Sequence, residues 1–310
     1  MSVNFAFLDS GVGGLPYLDY LKKLCPSAVC VYVADTKNFP YGEKSKSQIK
    51  ENACGCVKKI IEKWDPNVIV VACNTISVTA LEELRKRFPK TPFIGTVPAI
   101  KPAAQFSKTR KIGLLATNAT VNHPYTKKLI EEFASDCTIV SRGDPDLIAF
   151  IEHGFNSASE QERLNAVKPA VDFFRSKNCD CIVLACTHFL NMTEYFKKVG
   201  EGAIIVVDSL DGVVRHALEV EKTVVMPADT PVDQNDAVVM PINIGGCQNR
   251  TESVPAAAEV APLTAVVEPV ETTAFPASLL YVTGFISRND SDSYQKMCSR
   301  LAMNFGGVLE

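Results

Sequence analysis

Short runs of β-branched and aromatic residues alternate along this chain with amphipathic segments. Strands are predicted at Asn4–Leu8, Ala28–Asp35, Val68–Ala72, Phe93–Gly95, Lys111–Thr117, Thr138–Val140, Cys181–Ala185 and Ala203–Ser209. Several are apolar at every position rather than every second one, as strands covered on both faces of a parallel sheet must be. Between them, apolar residues recur at helical spacing. Examples are Leu15, Leu18 and Leu21, then Ile49, Ala53, Val57 and Ile60, then Val78, Leu81 and Leu84. Leu129, Ile130 and Phe133 predict a further helix, as do Leu164, Val167 and Val171, and Val213, Val214 and Ala217. Strand–helix repetition of this kind predicts an α/β fold with mostly parallel sheets.

The pattern changes from about Val224. Thr251 to Ser278 contains no Lys or Arg, and Pro255, Pro262, Pro269 and Pro276 recur through it. Proline forbids a coiled coil there, so an extended linker is predicted. Order resumes in a strand at Leu279–Gly284 and a last helical pattern through Met297, Leu301 and Phe305. The tail therefore reads as returning to a sheet laid down earlier. Pro98 and Pro102 suit a crossing between domains, and 310 residues suit two of them.

Composition narrows the partners. A hydrophobic content of 46% and a net charge of −3 fit a globular protein and give no argument for nucleic acid or an anionic membrane. The segment Met1–Asp9 lacks the basic start of a signal peptide, and no apolar run approaches the ~20 residues of a membrane span. Eleven cysteines, an odd number, are expected to stay reduced in the cytoplasm.

Chemistry concentrates at the strand ends. The third strand runs into Cys73-Asn74-Thr75, and a later one into Cys186-Thr187-His188. Open α/β sheets bind ligands at the carboxyl ends of their strands. Each thiol precedes a helical pattern, where a helix N-terminus is expected to lower the usual thiol pKa of about 8.5 by about one unit or more. The first strand ends at Asp9-Ser10-Gly11-Val12-Gly13-Gly14-Leu15. Pro16 removes the third glycine of a dinucleotide fingerprint, and no Gly-Lys-Ser/Thr follows, so the loop offers close backbone approach rather than a phosphate motif. Asn38-Phe39-Pro40-Tyr41-Gly42 is a rigid turn holding aromatics. Glu152, in a helical stretch ending at Gly154, reads as a solvated charge ahead of the alternative, a lid carboxylate.

Metal binding and serine hydrolysis are poorly supported. Cys179, Cys181, Cys186 and His188 crowd together without a Cys-x-x-Cys pair. On a strand Cys179 and Cys181 would share one face and Cys186 take the other. Cys54 and Cys56 diverge on a helix, and Cys25, Cys30, Cys137, Cys247 and Cys298 read as core packing. No Gly-x-Ser-x-Gly elbow occurs. Two facing thiols can instead invert a stereocentre, one removing a proton while the other donates one, without metal or pyridoxal.

Asp9–Leu15, Pro40-Tyr41-Gly42, Ala72–Thr75, Val97-Pro98-Ala99 and Cys186-Thr187-His188 together resemble the motifs of glutamate racemases, in that family's order and spacing from residue 5 to about residue 220. The resemblance implies cofactor-independent interconversion of L- and D-glutamate, supplying peptidoglycan synthesis. It implies Cys73 and Cys186 as acid/base thiols, assisted by Asp9 and His188. Ser10, Tyr41, Gly42, Asn74, Thr75 and Thr187 become substrate ligands, with Thr117, Thr120 and Glu152 as further candidates. It also implies two similar three-layer α/β domains with the active site in the cleft between them. Residues 1–97 plus 209–310 would form one, with an insertion at about 225–278, and residues 98–208 the other. No cofactor, metal, nucleic acid or membrane is expected, and the family pattern allows a homodimer. Two departures stand out: Phe189-Leu190-Asn191 replaces the family's usual Tyr-Pro-Leu, and the Pro-spaced stretch is extra. An aspartate racemase, a thiol redox enzyme and a non-catalytic binding or inhibitor protein on the same fold remain open on the residues alone.

Overall fold

The computed structural model describes residues 3–225, 278–283 and 303–309, together with Gln295, Cys298 and Ser299. Two parallel sheets organise them. The first has the order β10-β9-β2-β1-β3-β4, built from β1 (Phe5–Asp9), β2 (Cys30–Ala34), β3 (Val68–Val71), β4 (Phe93–Gly95), β9 (Ser278–Thr283) and β10 (Met303–Leu309). The second has the order β6-β5-β7-β8, built from β5 (Lys111–Ala116), β6 (Thr138–Gly143), β7 (Cys181–Ala185) and β8 (Ile205–Val207). All pairings in both are parallel. The first four strands of each half thus follow one plan: the second strand lies on one side of the first, and the third and fourth lie on the other. That reversal opens a crevice at the carboxyl ends of the first and third strands of each half.

Strand alternation explains the layers. Phe5 and Phe7 of β1, with Val68 and Val70 of β3, face α1 (Leu15–Leu24) and α11 (Leu210–Val225) through Leu15, Leu18, Val213 and Ala217. Ala6, Leu8, Ile69 and Val71 face the other way. They meet Ile49, Val57 and Ile60 of α2 (Lys46–Trp64) and Ile76 and Leu84 of α3 (Asn74–Arg87). In the second sheet, Leu115, Ile182 and Leu184 pack on α8 (Glu160–Ser176) and α10 (Thr193–Gly200). Its opposite face, with Ile112, Leu114 and Val183, packs on α4 (Ile100–Phe106) and α6 (Pro124–Phe133). Each sheet is therefore the middle of three layers, and the apolar runs of its central strands follow from burial on both faces. The helix α11 follows the second sheet in sequence but covers the first, which carries the chain back to the pairing of β9 with β2.

Several expectations need correction. Thr96–Ala103, read only as a crossing, already contains the start of α4; Pro102 fits because a helix's first turn needs no N–H partner there. Phe305, expected on a helix, lies in β10, where Gly306 and Gly307 weaken any helix and the strand pairs with β9. Cys179 precedes β7, so it belongs with Cys186 in one core cluster while Cys181 faces the opposite one. Met297, Leu301 and the expected linker from Thr251 lie outside the described residues, except that Ser278, its last residue, already begins β9.

Packing density at the second sheet generates a paired prediction. A Cβ on Gly113 in β5 would stand 2.5 Å from Cδ1 of Phe174, whereas one on Gly55 in α2 meets nothing within 4 Å. Gly113→Ala should lower stability by about 1–3 kcal/mol through overpacking, and Gly55→Ala should raise it by roughly 0.5–1 kcal/mol. Urea unfolding of the two variants measures both signs.

Candidate active site

The carboxyl ends of β1 and β3 deliver Asp9 and Cys73 to one place. Asp9 is fully buried and its carboxylate organises the glycine loop. Oδ1 accepts the Ser10 N–H at 2.7 Å, and Oδ2 accepts the Gly14 N–H at 2.7 Å and the Tyr32 hydroxyl at 3.2 Å. Thr187 of the other half donates to the same Oδ2 at 3.4 Å. Burial raises the Asp9 pKa, with the nearby His188 working in the opposite direction. Cys73 caps α3, and its Sγ lies 3.9 Å from the Ser10 hydroxyl. Burial pushes this thiol well above its ordinary pKa and the Asp9 charge adds to the effect, while the Ile76 N–H of α3 works against them. The helix N-terminus is present as expected, but desolvation outweighs it, so Cys73 is held as a neutral thiol.

The other half contributes an imidazole and a carboxylate. Cys186 caps the short helix α9 (Thr187–Leu190), with Sγ 3.7 Å from Nδ1 of His188. Nε2 of His188 lies 2.7 Å from Oε2 of Glu152, which also accepts the Val12 N–H at 3.0 Å. Glu152 sits on a single wide turn, Phe150–Gly154, that follows α7 (Pro145–Ala149). Far from being a solvated charge, it is 8% exposed and paired. Burial opposes a charge on His188, but Cys186 and Glu152 beside it prevail and hold its pKa well above the ordinary value. The glycine loop makes this possible. A Cβ on Gly11 would fall 2.4 Å from Oε2 of Glu152, and one on Gly13 2.5 Å from Nδ1 of His188. The close approach anticipated for a ligand is made by side chains of the opposite half.

Between the two thiols lies a cavity of about 110 Å³. Ser10, Tyr41, Gly42, Cys73, Asn74, Thr75, Thr117, Cys186, Thr187 and His188 all line it. Asp9, Thr120 and Glu152 do not; they stand behind the lining. Thr120, on the short helix α5 (Asn118–Val121), joins Thr75 and Thr117 in a triangle of hydroxyls, with Oγ1–Oγ1 distances of 3.0, 3.4 and 3.0 Å, bridging α3 to the β5 end. Tyr41 is anchored by donating to Asp35 at 2.5 Å. Asn74 Oδ1 is buried without a hydrogen-bond partner among the described residues. Such an acceptor costs about 1–3 kcal/mol unless a ligand donor meets it.

Phe39, Asn118, Ile148 and Ala149 also line the cavity and were not singled out as ligands. Phe39 adjoins Pro40-Tyr41-Gly42, and Asn118 stands in the polar strand end after Ala116, so both had a sequence signal. Ile148 and Ala149 look like ordinary helix-face residues. Among the described residues no three His, Cys, Asp or Glu side chains are grouped to hold a metal, and no helix is long and apolar enough to cross a membrane.

Two parallel sheets meeting at their strand ends, with a thiol from each at one small cavity, define the class. The chain belongs to the Asp/Glu/Hydantoin racemase family, which matches residues 18–217. Among its relatives is the glutamate racemase of Treponema pallidum subsp. pallidum, 43% identical over 215 residues, covering 69% of this chain and 80% of the relative. Glutamate racemase of Glaesserella parasuis is 38% identical over 239 residues, covering 76% and 88%. In architecture the chain is similar to Escherichia coli glutamate racemase solved with L-glutamate and the activator UDP-MurNAc-Ala. The TM-score there is 0.75 at 27% identity, over 99% of this chain and 98% of that one.

The raised His188 pKa makes stability depend on pH with a definite sign. Below the unfolded value of about 6.5 both states carry the proton and the full stabilisation is present. Above it the unfolded state releases the proton first, so stability falls until the folded pKa is passed. Urea midpoints should therefore decline as pH rises from about 6.5, with a slope of at most about 1.4 kcal/mol per pH unit from this proton. In Glu152→Gln that part of the slope should shrink.

Proposed function

We propose that this chain interconverts L- and D-glutamate without a cofactor, Cys73 and Cys186 exchanging protons with opposite faces of Cα. The carrying observation is the placement of both thiols, each at a helix start and each from a different sheet, on one cavity. For one enantiomer Cys73 is the proton donor, held neutral by burial and by Asp9. Cys186 faces the His188–Glu152 pair, which exchanges charge with its sulfur as the proton moves. Asp9 and Glu152 act from behind the lining, positioning Cys73 and His188 respectively rather than touching substrate. The unpartnered Asn74 carbonyl meets the substrate ammonium, and hydroxyl and N–H donors of Ser10, Gly42, Thr75, Thr117 and Thr187 take the two carboxylates.

The wider reading follows the relatives. Glutamate is preferred over aspartate because the similar enzymes from Treponema and Glaesserella bear that name. The product supplies D-glutamate for peptidoglycan, and with it cell-wall biogenesis and cell shape, in the cytoplasm. The enzyme works as a soluble two-domain unit or a homodimer of such units. The domains divide at residues 97/98 and 208/209, with the last strands completing the first.

The test is cofactor-free incubation with L-glutamate and, separately, L-aspartate, followed by chiral analysis. D-glutamate should form, and Cys73→Ala and Cys186→Ala should each slow inversion by about 10²–10⁴-fold, the usual contribution of a general acid or base. Turnover of aspartate alone would reassign the substrate. No turnover of either by the wild-type chain would favour a binding protein on this fold.

A further inference from the structure

Phe39 stands on the loop after β2, yet its ring leaves the first sheet's core and packs on the second's, in the cluster that contains Cys186. It sits between two imidazoles. Its ring centroid is 5.8 Å from that of buried His188, tilted by 51°, and 5.9 Å from that of exposed His153, edge-on at 86°. The loop is braced on both sides of it. Buried Asp35 accepts two hydrogen bonds from the Asn38 amide, at 3.1 and 2.9 Å, and one from Tyr41 at 2.5 Å. Phe39 is thereby presented rather than merely exposed, and it also forms part of the cavity wall. Cys73, by contrast, belongs to the first sheet's cluster, which Phe39 does not join.

We infer that Phe39 is a positioning residue that shields the Cys186–His188 side of the site. Seating the first-half loop on the second half closes an aromatic wall over that thiol and imidazole and bears less directly on Cys73, which shares the cavity but not the cluster. The physical reason is that a thiol and an imidazole exchanging a proton next to a buried carboxylate must be kept from bulk water. Water entering there weakens each charge–charge contact in proportion to the local dielectric. A hydrophobic ring on a braced loop does this without adding a competing donor. This role rests on the racemase reading for its catalytic consequence but not for its structural one.

The experiment treats the full-length protein with iodoacetamide and follows Cys186, Cys73 and the remote buried Cys30 by peptide mass spectrometry. Wild type, Phe39→Ala and Phe39→Tyr are compared, and kcat and KM for glutamate are measured alongside. Phe39→Ala should speed alkylation of Cys186 by about tenfold over any change at Cys73, leave Cys30 protected, and lower kcat about tenfold with a smaller change in KM, a barrier change of about 1.4 kcal/mol. Phe39→Tyr, which keeps the ring, should restore both. Equal acceleration at Cys73 and Cys186, or at Cys30, would mean general loosening and overturn the proposal, as would unchanged Cys186 reactivity. Selective exposure of Cys186 in a protein whose wild type does not racemise glutamate would uphold the shield and overturn the substrate assignment.

Discussion

Glu152 and His188 form an ion pair at the seam between the two sheets, and the geometry of the site depends on it. Taking two such charges out of water costs several kcal/mol per ion, which only close pairing and further hydrogen bonds offset. Here Oε2 of Glu152 accepts both the imidazole and the Val12 N–H, and the second ring nitrogen faces Cys186. The pair can sit there only because Gly11 and Gly13 leave no Cβ in its way. The glycine loop of one half is thus a socket for the acid–imidazole pair of the other. Its folding is in turn imposed by Asp9, whose carboxylate gathers the Ser10 and Gly14 N–H groups.

This arrangement makes the two thiols unlike despite their similar positions. Both cap helices at the ends of third strands, so the folds on either side are near repeats. The charges behind them are of opposite kind: a carboxylate lies behind Cys73, and an imidazole of raised pKa lies beside Cys186. Under the proposed two-thiol mechanism one thiol donates while the other accepts, and the unlike supports distinguish the two. The hydroxyl triangle of Thr75, Thr117 and Thr120 ties the same two halves together at the other side of the cavity.

Much of this was legible in the chain. Apolar runs ending in Cys73-Asn74-Thr75 and Cys186-Thr187-His188 announced buried parallel strands with thiols at their mouths, and the returning strand at Leu279 was visible beyond the linker. What escaped was non-local. Glu152 has the surroundings of an exposed helical acid, and nothing nearby in sequence reveals Val12 or His188 as its partners. The Cys73 pKa departs from the expectation of a lowered value for a related reason: a helix start is a local feature, whereas the desolvation that outweighs it comes from the whole packed cleft. Phe305 shows the reverse error, a local period of four that pairing with β9 overrides.

The central claim is that two separate thiols serve opposite faces of one bound amino acid. Its most direct measurement is the position of isotope in the earliest turnovers in deuterated water, starting from each pure glutamate enantiomer in turn. Two thiols with separate proton pools predict deuterium at Cα of the newly formed enantiomer while the recovered starting enantiomer still carries hydrogen. Equal early labelling of both enantiomers would mean a single base reaching both faces, and would contradict the account.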